Sequence, residues 1–454
     1  MRYLYSITLL IFLSMQGFGQ DSLGLTEAIQ LSLQQNYDIQ IENKRIDIAT
    51  NNNAWGEAGR YPSIDLGLGQ NNSLTNNIKT ASPFQLQDKI LNNSISPSIR
   101  LNWTVFNGFR VNISKQRLDE LQAESHGNAS VVIANTIQGV ILGYYRCALE
   151  RERLETLKRQ LALSRDKFEY VKIKAEVGSA VSSDMLLEET NYLNDSTNFI
   201  NQQLNYRNAM RSLNVLLGEP DPQKKWDITD DLTVDIEDYQ LQDLYAKMTT
   251  KNVDVQKLYI SQSIRRYETE MQRANRLPIV SLGAGYSNSL SRVDLSNASF
   301  PNADGTSRPG PSDPLSAITG NYFANFTVSF TLFNGGRINR AIQNAVVQED
   351  IASLSVDRMQ LSLYRDLAGT LDEYNIRKQI YSINERKVEV AGNNLSIADE
   401  KFRNGTINSF DYRIVQNNHL SAALQYLSSL YNLIDSHVGL LRLSGGIIET
   451  YNNQ

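Results

Sequence analysis

Three histidines and one cysteine are the side chains best suited to metal binding or nucleophilic catalysis, and their placement supports neither. His126, His419 and His437 are scattered along helical stretches without the spacing that brings ligands to one ion. Each is expected on a helix surface. Cys147 sits inside a helical pattern, where it reads as a small packed hydrophobe, and a lone cysteine closes no internal disulfide. No glycine-rich nucleotide loop is present. An enzyme is therefore not expected, and no cofactor or metal is called for. Two carboxylates remain: Asp184 and Asp411, six residues after Gly178 and Gly405. In the first turn of a helix a carboxylate is favoured by the helix dipole by about 0.3–1 kcal/mol, which places each where a helix begins again after a sharp turn.

Those two positions belong to one pattern written twice. A shift of 216 lays Leu25, Asn36, Pro62 and Gly67 over Leu241, Asn252, Pro278 and Gly283; after an insertion of eleven residues the shift becomes 227. It then pairs Phe106, Asn107, Gly108 and Arg110 with Phe333, Asn334, Gly335 and Arg337, and Gly178, Asp184 and Gly218 with Gly405, Asp411 and Gly445. A unit of about 200 residues is too long for a solenoid repeat, so one structural unit has been duplicated. The expected division is residues 20–220 and 239–447 as the two repeats, 221–238 as an acidic, proline-bearing linker, and 448–454 as a tail.

The positions of proline say which elements carry the pattern. All ten prolines fall outside two windows, Ser98 to Glu219 and Leu315 to Gln454. A proline inside a helix costs about 3 kcal/mol, so both windows permit very long helices. Leu154, Leu157, Leu161, Ser164, Phe168, Val171 and Ala175 alternate steps of three and four, as in a coiled-helix seam, and Tyr381 to Phe402 repeat it. A helix from Val111 to Val177, at about 1.5 Å per residue, spans on the order of 100 Å. A hairpin turn follows at Gly178 and Gly405, and a return helix runs back to Gly218 or Gly445. A shorter helix opens each repeat, Leu25 to Gly59 and Leu241 to Arg276.

Between the short and long helices the period changes to two. Ile64, Leu66 and Leu68 alternate with polar residues or glycine, as do Ile99, Leu101, Trp103 and Val105; Val280, Leu282 and Ala284; and Ala324, Phe326, Val328, Phe330 and Leu332. These are four strands, each with one apolar face. The Asn- and Ser-rich stretches Asn71 to Ser94 and Ser287 to Asn321 are expected as long exposed loops. In a bilayer four strands cannot close a barrel and open edges are not tolerated, so a membrane sheet of this kind must be completed by further copies.

The termini and charge narrow the setting. Arg2, the apolar run Leu9 to Leu13 and Gly17 to Gly19 read as a secretory signal, residues 1–19, cleaved after Gly19. No later run of 18 apolar residues offers a membrane helix. A net charge of −5 argues against a nucleic-acid partner.

In their order and duplicated spacing, Leu25, Thr26, Glu27 and Ala28 with Asn36, the Pro62 strand start, Phe106-Asn107-Gly108 with Arg110, Phe333-Asn334-Gly335-Gly336-Arg337, and the tips Gly178 to Asp184 and Gly405 to Asp411 resemble the TolC-like outer-membrane efflux proteins. The resemblance implies an α+β membrane protein: long antiparallel helices forming an α-barrel, and four strands per chain contributing to a trimeric twelve-stranded barrel in outer-membrane lipid. It implies a homotrimer docked, through tips at Val177, Gly178, Ser179, Gly405 and Thr406, on a periplasmic adaptor and an inner-membrane pump of resistance-nodulation-division or ABC type. It implies export and no catalysis. In the family, acidic rings at the second tip bind cations; Asp411 matches the first, and Asp184 is its counterpart at the first tip. The chain departs at Ile414, where a second acidic ring is usual, and at Ile407, where some members carry arginine, so an apolar constriction competes with a charged one. A passive outer-membrane channel and a periplasmic coiled-coil scaffold that never enters a membrane stay open as alternatives.

Overall fold

The structure, a computed structural model, describes residues 21–81, 84–304 and 306–452. The signal segment 1–19 lies outside them. Two compact units interleave in sequence.

One unit holds the chain up to Asp47, Glu124–Tyr259 and residues from 354 onward. Its first repeat contributes strand β1 (Asp21–Leu23), helix α1 (Leu25–Gln35), most of α2 (Tyr37–Asn52), the later part of α3 (Arg110–Glu176) and the return helix α4 (Ser182–Leu217). Strand β4 (Trp226–Ile228) follows, and the second repeat supplies α5 (Leu241–Lys251), the opening part of α6 (Val253–Ala274), the later part of α7 (Arg337–Arg403), α8 (Ser409–Ser444) and α9 (Ile447–Asn452). The long helices α3 and α7 are 67 residues each, and the return helices α4 and α8 are 36 each, so the repeat holds to the residue. Of the seam read on α3, Leu157, Ser164 and Val171 are buried, joined by Gln160 and Lys167, while Leu161 and Phe168 are only partly covered.

Each opening helix is broken where one continuous helix was expected. Asn36 leaves the helix at φ −61°, ψ 127°, and its Oδ1 accepts the amides of Asp38 (2.9 Å) and Ile39 (3.3 Å), which caps a new helix. Asn252 does the same for Asp254 and Val255. The break lets the chain pass the end of the return helix. Gly218, at φ +76°, is so close that a Cβ there would lie 2.3 Å from the Gln35 carbonyl oxygen, and Gly445 stands likewise against Lys251.

The segment expected as a linker is part of the core. β4 pairs in parallel with β1, and Trp226, Ile228 and Leu232 are buried against Ile137, Tyr144, Leu213 and Leu217. Trp226 Nε1 donates to Asn214 Oδ1 at 2.7 Å, and the Tyr144 hydroxyl donates to the Leu23 carbonyl at 2.9 Å. The apolar residues at alternate positions of an otherwise acidic stretch make this strand possible. At the other end of the chain Ile447 is buried in the same core, and Ile448, the first residue of the expected tail, packs against it. His437 departs from the expected helix surface: it is half-buried between the rings of Tyr239 and Tyr374 and bonded to the Tyr239 hydroxyl at 2.8 Å. Cys147 is fully buried, and burial pushes its thiol up to about 12.

The other unit holds residues 48–123 and 260–353. Its centre is a four-stranded antiparallel sheet in the order β2-β3-β5-β8, formed by β2 (Ser63–Ala81), β3 (Phe84–Asn107), β5 (Ile279–Asn297) and β8 (Leu315–Ser329). The strands extend far beyond the expected lengths. Most of the two supposed loops is ladder: β2 and β3 pair without interruption from Ser63↔Asn102 to Ala81↔Phe84. Asn and Ser are poor strand formers alone, but a hairpin in register gives each backbone group a partner and overrides that preference. The second hairpin adds a small one, β6 (Ser299–Pro301) with β7 (Ser307–Pro309), near the insertion. β8 stops at Ser329, short of Phe330 and Leu332, because its partner starts at Ile279 and the preceding Pro278 has no N–H to offer.

Candidate functional site

The register of the sheet decides which side chains share a face. Leu66, Ile99, Tyr286 and Tyr322 form one row across all four strands, and Ile64, Leu101, Ala284 and Ala324 form the next. Between them Asp65, Arg100, Gly285 and Phe323 point to the opposite side. The apolar face is bare in the single chain: Leu66 is 83% exposed, Tyr322 80% and Ile318 75%. A contiguous apolar sheet face of this kind does not belong in water. Among the described residues β2 and β8 each have one strand neighbour, so both edges are open. No helix of the described residues is long and apolar enough to cross a membrane.

The two hairpin tips are built alike. At the first, Gly178 turns at φ +77°, the Gly178 amide reaches the Ala175 carbonyl (3.1 Å) and the Ser179 amide the Lys174 carbonyl (2.8 Å). At the second, Gly405 (φ +72°) and Thr406 make the same two bonds to Phe402 (3.0 Å) and Lys401 (2.9 Å). This is the glycine-dependent helix stop known as the Schellman motif. Val177, Ser179 and Thr406 are exposed. The restart differs between the copies. Val181 begins α4 with no side-chain cap, whereas Asn408 begins α8 and its Oδ1 accepts the Asp411 amide at 2.8 Å. The Asp411 side chain is exposed; Asp184 and Ile407 are partly covered and Ile414 is exposed.

Behind the tips lies a charged cluster that the sequence reading missed. Arg413 on α8 holds Asp195 on α4 with both terminal nitrogens, at 2.7 and 2.8 Å, and also reaches Ser164 at 3.2 Å. Asp195 additionally accepts Gln160 Nε2 at 3.1 Å and the Ser164 hydroxyl. Lys167 pairs with the buried Glu188 at 3.0 Å, donates to the Ser409 carbonyl at 3.1 Å, and lies 4.8 and 4.7 Å from the Phe402 and Tyr412 rings. Burial lowers the basicity of Lys167, against the opposing pull of Glu188. It pushes the Tyr412 phenol up to about 12, and Asp399, which accepts the phenol at 3.1 Å, adds to the shift. A cavity of about 410 Å³ lies beside them, lined in part by Tyr170, Phe402 and Arg403. The available signal was a polar stripe at inward spacing: Gln160, Ser164 and Lys167 step by four and three between Leu157 and Val171.

The profile of the outer membrane efflux protein family matches residues 28–219 and 244–446, the two repeats found above. Several solved structures share the fold. CusC, described in work on folding and transmembrane channel formation, superposes with a TM-score of 0.71 at 15% identity over 93% of this chain and 92% of its own. The CmeC outer membrane channel of Campylobacter jejuni gives 0.69 at 15% identity over 93% and 85%. The open MtrE outer membrane channel of Neisseria gonorrhoeae gives 0.67 at 13% identity over 93% and 89%. No curated protein sequence matches the chain. With duplicated hairpins, an apolar sheet open at both edges and a family match over both repeats, the chain belongs to the outer membrane efflux protein family, as a channel of the outer membrane that extends into the periplasm.

Proposed function

We propose that this chain is the outer-membrane duct of a tripartite export system. Three copies contribute four strands each to a twelve-stranded barrel, and the hairpin tips at Val177 to Ser179 and Gly405 to Thr406 meet a periplasmic adaptor and an inner-membrane pump. The pump selects the cargo, a small molecule or a protein, and the duct passes it out. The observation that carries the reading is the bare apolar face from Leu66 to Tyr322 with an open strand at each edge: lipid suits the face, and only further copies can satisfy the edges. Four strands per copy fall short of the eight or so a barrel needs, so closure requires oligomers. The tips support the docking role, since their glycine turns expose Val177, Ser179 and Thr406 at a chain reversal while the cluster behind holds the helices in place.

Access control follows from the same parts. A threefold ring of Asp411 carboxylates would attract and bind cations, and Ile407 and Ile414 would narrow the passage around it. Cysteines placed at Ser179 and Thr406 and loaded with a photo-crosslinker should capture a periplasmic adaptor, identified by mass spectrometry, in cells that are exporting. Capture at neither tip would sink the docking assignment.

A further inference from the structure

A cavity of about 630 Å³ opens where α4 meets the chain that leads into β4. Arg207 and Arg211 on α4, and Lys224 and Lys225 on the following segment, stand around it, with one carboxylate, Asp227, among its lining residues. Leu154, Met210 and the buried Trp226 give it an apolar side. This concentration of cations runs against a chain whose net charge is −5.

Three of the four cations have no counter-charge. Lys224 pairs with Asp21 and Glu219, both at 3.3 Å, and its Nζ lies 3.7 Å from the centre of the Trp226 ring. No carboxylate of the described residues pairs with Arg207, Arg211 or Lys225: Arg207 reaches the Gln203 carbonyl of its own helix at 3.3 Å, and Arg211 the Asn208 side chain at 2.9 Å. Arg207 and Arg211 are one turn apart, about 5–6 Å between Cβ atoms, where like charges repel. The fold does not ask for charge there, since the second repeat carries Ile434 and Val438 at these positions and buries both. In the same wall the Tyr206 hydroxyl has no hydrogen-bond partner among the described residues, and burial pushes its phenol up, which keeps it a donor.

We infer that this cavity binds a phosphomonoester, its phosphate held by Arg207, Arg211 and Lys225 and its organic body resting on the side of Leu154, Met210 and Trp226. A phosphate monoester carries about −1.5 to −2 charges near neutral pH and three acceptor oxygens, which answers three unpaired cations and a free hydroxyl. A carboxylate offers one charge and two oxygens. Guanidinium forks match phosphate oxygens in pairs, so two arginines on one helix face suit one such group. The volume falls within the roughly 300–1,000 Å³ of small-molecule sites. The same chemistry is presented by a soluble phosphate ester and by the headgroup of a phosphatidic acid.

The test is calorimetric titration of full-length protein in detergent. Phenyl phosphate should bind saturably, and benzoate, of similar body but one charge, at least about ten-fold more weakly. Arg207→Gln with Arg211→Gln should weaken phenyl phosphate at least about ten-fold with helical content by circular dichroism unchanged. Lys225→Gln lies outside the helices, so it leaves their packing alone, and should weaken binding about three-fold. Dihexanoyl phosphatidic acid is titrated in parallel: tighter binding than phenyl phosphate assigns the site to a lipid headgroup, weaker binding to a soluble ester, and either outcome upholds it. Absence of saturable binding for both phosphates, equal binding of benzoate, or affinity unchanged in both variants overturns the site. So does a fall in lysine-crosslinked oligomers of the arginine variant while Lys225→Gln binds like wild type, since the arginines would then serve contact between copies.

Discussion

The side-chain amide of Asn36 donates to the carbonyl of Leu216 at 2.9 Å across 180 residues of sequence, and Asn252 makes the same bond to Leu443 at 2.9 Å. One residue thus caps a new helix with its oxygen and closes the end of the return helix with its nitrogen. Asn36→Ala should lower stability by about 1–3 kcal/mol, because it strands a carbonyl and removes a cap. Asn36→Asp keeps the cap and loses the donor, and should fall between. Thermal loss of helicity in detergent checks the order; equal losses for both variants would assign the whole effect to the bond with Leu216.

The Arg413–Asp195 pair invites a double-mutant cycle. Removing one partner leaves a buried charge, so Arg413→Leu or Asp195→Ala alone should destabilise by about 3–5 kcal/mol. The double variant reproduces the residues that the repeat carries at Leu186 and Ala422 and should recover most of that loss. Protease resistance of the hairpins reads it out. Additive losses would mean that the two residues act separately.

Stability should fall on mild acidification. Burial lowers the basicity of His437 and of His419, for which Arg159 adds to the effect, while the Glu237 and Asp235 carboxylates oppose it at His437. An unfolded imidazole gains its proton near 6.5, the folded one only at lower pH. Between those points the unfolded state binds more protons, so stability drops as pH falls below 6.5. Unfolding temperatures at about pH 8 and about pH 5.5 should differ less in His437→Gln than in wild type.

At the second tip, Asp411→Asn removes the carboxylate and keeps the amide bond to Asn408. Block of single-channel current by divalent cations should weaken, with the fold unchanged. Ile414→Ala should raise conductance without altering block. If block survives Asp411→Asn, the constriction is apolar and Ile407 and Ile414 form it.

Long helices, their turns and their duplication could be read from the chain because they depend on local spacing: proline exclusion, steps of three and four, and glycine where a helix must stop. Period two likewise marked the four strands, and in order and spacing the motifs matched the family. What depended on partners far away in sequence could not be read there. Strand length was decided by cross-strand pairing, which carried Asn- and Ser-rich segments into the ladder. The acidic segment around Trp226 became core because Asn214 and Tyr144 lay where its backbone and ring needed them. The cluster of Lys167, Glu188, Asp195 and Arg413 joins residues from α3, α4 and α8, and only packing could show that these charges face inward. Local periodicity names elements; which face of each is buried, and by what, is settled by the elements that fold against it.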